Sequence, residues 1–104
     1  MELKDAEIGQ VLYTNDTPFS HSQNWVIVEK VEGIFGLDAK LVEVDEKLEL
    51  IEDPDITTIS NITPEDARGV GGFRVAVEGL NMNSKGINFM ISLRNAYEEK
   101  LAKI

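Results

Sequence analysis

The chain has 104 residues, a net charge of −9, 42% hydrophobic residues and no cysteine. That length fits a single domain over residues 1–104 with one modest core, and the hydrophobic content excludes wholesale disorder. The missing thiols exclude a disulfide framework, a cysteine nucleophile and a thiolate zinc site, and no apolar run approaches the roughly 20 residues of a membrane span.

The opening, MELKDAEIGQ, is polar and acidic, unlike a signal peptide, so a cytoplasmic protein of a bacterial or host cell is expected. Leu3 and Ile8 are placed to plug one end of a sheet or barrel. IGQVLYT reads as a first strand, with Ile8, Gln10, Leu12 and Thr14 on one face. NDTPFSHSQN is a polar loop containing the only histidine, His21. WVIVEKV is the strongest strand signal, placing Trp25, Ile27 and Glu29 on one face and Val26, Val28 and Lys30 on the other. EGIFGLD is a bend or bulge with Ile34 and Phe35 at an apolar tip.

AKLVEV and KLELIE around DEK are expected to form a hairpin, with Leu41 and Glu43 facing one way and Val42 and Val44 the other. DPDITTISN holds a short edge strand beyond Pro54. TPEDA has the chemistry of a helix start: Thr63 as cap, Pro64 in the first position, Glu65 and Asp66 at the positive end of the helix dipole. The glycines Gly69, Gly71 and Gly72 stop that turn, and FRVAVEG follows as a strand with Phe73, Val75 and Val77 on one face. From Ser84 to Ile104 the pattern fits a strand at first but keeps helical periodicity for longer. It predicts one helix capped by Asn83 or Ser84, with Ile87, Met90, Leu93, Tyr97, Leu101 and Ile104 on its apolar face. Phe89, Ala96 and Ile91 flank that face and suggest a homo-oligomer, unless Ile34 and Phe35 fold over the excess.

These elements predict an α+β fold. The expected form is a small antiparallel SH3-like β-barrel, or a strongly bent sheet, with a short helical turn and a C-terminal helix packed on it. An open antiparallel sheet with a helix across it is the alternative.

The net charge is concentrated. Between Glu29 and Asp66 stand twelve carboxylates against three lysines, which accounts for the whole −9, while acids and bases balance in the rest of the chain. Such a middle third repels phosphate, which argues against direct nucleic-acid binding and against an acidic membrane surface. Seven of these carboxylates, Glu43, Asp45, Glu46, Glu49, Glu52, Asp53 and Asp55, fall within thirteen residues. On a hairpin they would form a rigid acidic ribbon suited to a basic protein surface, for example that of a nucleic-acid-binding protein.

No catalytic constellation accompanies them. His21 stands between Ser20 and Ser22, but sequence neighbours do not make a triad. The carboxylates of EDPD lack the spacing of a calcium loop. In ARGVGGFRVAVEG the glycines precede a strand, the reverse of a dinucleotide-binding turn, and no Lys-Ser or Lys-Thr follows as in a phosphate-binding loop. The expected function is therefore a non-enzymatic binding or regulatory module without cofactor or metal. By analogy it is an inhibitor of the nucleic-acid-mimic type, such as phages encode. A small-ligand site for a nucleotide or phosphate, built from Arg68, Gly69, Gly71, Gly72 and Arg74, is the alternative. A structural assembly subunit is the third reading.

Overall fold

A computed structural model of the chain describes residues 1–16, 18, 21–68 and 71–103. Five antiparallel strands form one sheet: β1 (Val11–Thr14), β2 (Gln23–Gly33), β3 (Gly36–Val44), β4 (Ile56–Ile59) and β5 (Arg74–Val75), in the order β4-β3-β2-β1-β5. One helix among the described residues, α1 (Ile87–Ala102), follows, and short 3-10 turns lie at Leu3–Asp5 and Met82–Lys85. The fold is thus α+β with a sheet and a C-terminal helix, and no ladder joins β4 to β5 among the described residues.

Both faces of the sheet are buried. Val11, Val26, Val28, Val42 and Val44 point to one face, where Met90, Leu93 and Tyr97 of α1 cover them. Leu12, Trp25, Ile27, Ala39, Leu41 and Val75 point to the other, under Leu3, Ala6 and Ile62. Strand alternation alone produces this sorting, because successive side chains leave a strand on opposite sides. The rings of Trp25 and Phe73 meet edge to face at 5.5 Å, and the indole N–H donates to Thr14 Oγ1 at 3.2 Å.

Several expectations need correction. β2 carries a bulge: Ile27 faces Leu41, but Glu29 faces Lys40, so Val28 is extra. The bulge reverses parity, as an added residue must. Glu29 joins the helix side, where it pairs with Lys40 at 3.7 Å, and Lys30 turns to the other side and donates to Ala6 O. β3 does not pair with KLELIE but with Ile56–Ile59. The segment between them is held as a loop by Asp45, whose carboxylate accepts the N–H groups of Lys47 and Glu49 at 2.8 and 2.9 Å. Uncharged, β-branched ITTI takes the free edge of β3 instead of a strand crowded with carboxylates.

TPEDA forms a single turn, Ala67 N–H to Pro64 O, and no helix. The strand FRVAVEG shrinks to Arg74–Val75, and Val77 is exposed rather than aligned with Val75. The long helix forms, but it starts at Ile87 behind Gly86, because Asn81 caps the preceding 3-10 turn by accepting the Asn83 N–H. Ile87 and Leu101 of the expected apolar face are exposed, and Ile104 lies outside the described residues. Ile34 and Phe35 cover nothing: they stand 94% and 101% exposed on the two-residue turn between β2 and β3.

Candidate functional site

At one end of the sheet β1 finishes at Tyr13 and Thr14, β2 begins at Gln23 and Asn24, and β3 finishes at Val44. Their ends surround a cleft of about 750 Å³, completed by the loop after β3. Glu43, Asp45 and Glu46 line it, with Lys47 the one cationic side chain in the lining. Glu43 is half-buried on β3. Its backbone N–H donates to Asp55 O at 2.9 Å and its carboxylate accepts the Asp55 N–H at 3.2 Å, which fixes where the loop rejoins the sheet. Asp45 is held by the loop N–H groups it caps. Glu46 is exposed, with no hydrogen bond or ion pair among the described residues.

The structure therefore gathers three of the seven expected acidic residues and disperses the rest. Asp55 lies at the margin of the cleft and accepts from Gln23 Nε2 at 2.9 Å. Glu49 is 2.7 Å from Lys85, which also donates to Leu48 O and stacks over the Phe89 ring at 5.1 Å. Asp53 pairs with Lys100 at 2.9 Å, and the hydrogen bond from Lys100, helped by its charge, holds the Asp53 carboxyl below the usual carboxylate range. Glu52 is exposed beside it. Two lysines of the C-terminal region thus pin the acidic loop to the helix face and neutralise part of it. Tyr13, Gln23 and Asn24 had no signal in the sequence, because strand ends meet only once the register is set.

The glycine stretch has a different character. Arg74 is 6% exposed, donates to Glu65 O at 3.3 Å and approaches Gly71 O at 3.5 Å, so it braces the preceding turn. Gly72 has φ +94°, and a Cβ there would overlap the Thr63 hydroxyl, so close packing as well as backbone geometry requires glycine. Arg68 is exposed, and Gly69 lies outside the described residues. A hollow of about 370 Å³ beside this turn is lined by Glu65, Asp66 and Glu78, a lining that disfavours an anion. His21 is exposed, and no group of three or more His, Asp or Glu side chains able to hold a metal occurs among the described residues.

The fold and cleft define a small acidic α+β domain. Comparison with known proteins finds no matching family model, no matching curated protein and no matching solved structure. No helix among the described residues is long and apolar enough to cross a membrane.

Proposed function

We propose that the protein is a non-enzymatic binding or regulatory module whose acidic cleft engages a basic protein surface. The observation that carries this reading is the convergence of Glu43, Asp45 and Glu46 on one open cleft with a single lysine in its lining. An anionic recess of this size accepts a lysine or arginine side chain. The surrounding field of a chain at −9 raises the encounter rate with cationic partners. The partner class is a cytoplasmic protein whose own site binds nucleic acid, and the module acts on it as an inhibitor. A strongly bent sheet belongs to the same proposal: Thr63 N–H donates to Phe73 O at 2.8 Å, drawing together the segments that follow β4 and precede β5, while the β4 edge itself stays open.

The test separates a site from bulk charge. Binding of a labelled oligo-arginine peptide is followed by fluorescence anisotropy for Glu46→Lys and for Glu78→Lys. Both change the net charge equally, but only Glu46 lines the cleft. Binding should fall several-fold more for Glu46→Lys. Equal losses would reduce the interaction to nonspecific attraction and refute the site.

A further inference from the structure

The edge of β4 is open. Glu43 N–H bonds to Asp55 O, and the register continues Leu41 to Thr57 and Ala39 to Ile59, so these pairs exchange the ladder bonds with β3. Antiparallel pairing alternates, so the intervening Ile56 and Thr58 direct their N–H and C=O groups away from β3. No hydrogen bond among the described residues engages those four groups. Sheet edges are ordinarily blunted by charge, proline or a bulge. Apart from its four-residue length, Ile56–Ile59 has none of these, and Ile56–Pro64 is the one long uncharged run in the acidic middle third.

We propose that this edge pairs with the β4 edge of a second copy of the chain, antiparallel about a twofold axis at Thr58. In that register the outward groups of Thr58 meet those of Thr58 of the second copy, and Ile56 falls opposite Ser60 of the second copy, just past the end of β4. The two sheets become one, with both helices on the same face. Charge selects this arrangement over other self-pairings. The acidic flank at Asp55 falls opposite neutral Asn61 of the second copy. The two Asp55 residues end about 20 Å apart along the seam, at the strand rise of about 3.4 Å per residue, well beyond the Debye length of about 8 Å at physiological ionic strength. Opposed threonines on neighbouring strands are a favourable cross-strand pair.

The seam is short and the chain is acidic, so the dimer is weak and salt-assisted. Salt weakens the attraction of a cationic partner to the acidic cleft, the opposite dependence, so the two proposals fail separately. Sedimentation equilibrium over micromolar to millimolar protein should show monomer and dimer. Dimer should increase as salt rises from about 0.1 M to about 1 M, where the screening length falls from about 10 to about 3 Å. Hydrogen exchange at the Ile56 and Thr58 amides should slow with protein concentration in the native chain. Thr58→Pro removes an N–H that β3 does not use and should return the chain to monomer, whereas Tyr97→Phe, which removes only the Tyr97–Thr58 hydroxyl contact of 3.1 Å, should leave the dimer. A mass near 11.6 kDa throughout would overturn the proposal. A dimer with Ile56 and Thr58 amides unprotected, or one abolished by Ile91→Glu on the helix, would also overturn it.

Discussion

Lys100 and Asp53 are 47 residues apart in sequence and 2.9 Å apart in space. Their contact lowers the Asp53 pKa, because the ammonium donates to the carboxylate and stabilises its charged form. The sign follows. A carboxyl lowered in the folded state adds stability above its unfolded value, near 3.8, and loses it as pH falls through the folded value. The pair is solvent-exposed, so its contribution is small. Titration followed by carboxyl carbon shifts should place Asp53 below 3.8 in the native chain and higher in Lys100→Met. An Asp53 that titrates identically in both would show that the pair does not form in solution. At this scale the sequence reveals which residues carry charge but not whom they meet. Nothing in the sequence singles out Lys85 or Lys100, yet each holds a carboxylate of the distant acidic loop. Arg74, which belongs to the alternative ligand site, braces its own turn by donating to Glu65 O.

The hairpin of β2 and β3 shows what pattern alone conveys about an element. Alternation in WVIV and AKLVEV places Val26, Val28, Val42 and Val44 on their observed face, and the glycines at Gly33 and Gly36 mark the turn. The bulge at Val28 is invisible to that pattern, because nothing in the residue types says where a strand gains a residue. The loop after Val44 departs from its sequence pattern for a related reason. KLELIE alternates as a strand does, but Asp45 offers its backbone a competing set of hydrogen bonds, and Leu48 adopts φ +63°. Half-buried Leu48 then packs toward the helix-side core. The hairpin tip yields a prediction at this scale. Ile34 and Phe35 contribute no packing, so Ile34→Thr with Phe35→Asn should change unfolding free energy by no more than about 0.5 kcal/mol. Urea denaturation measures this. A loss of about 2 kcal/mol or more would mean that the tip is buried in solution, by the rest of the chain or by another copy.

Across the molecule, the class of fold is legible in the sequence and the order of its strands is not. One helix and several short strands emerge from periodicity. The ordering β4-β3-β2-β1-β5 depends on long-range pairing, such as β1 with β5, that no local pattern encodes. The same holds for the site. The excess of acid in the middle third is plain in the sequence, but the sequence presents it as a continuous ribbon. Folding keeps Glu43, Asp45 and Glu46 at one cleft and turns Glu49 and Asp53 toward lysines. Recognition of a basic surface should therefore centre on the sheet end rather than follow charge density along the chain. The most direct measurement is an amide nitrogen–proton correlation titration of the native protein with oligo-arginine at moderate salt. The account predicts shifts concentrated at Tyr13, Gln23, Asn24 and Glu43–Lys47, and their loss in Glu46→Lys. Shifts spread evenly over Glu29–Asp66, or centred on Glu65, Asp66 and Glu78, would contradict it.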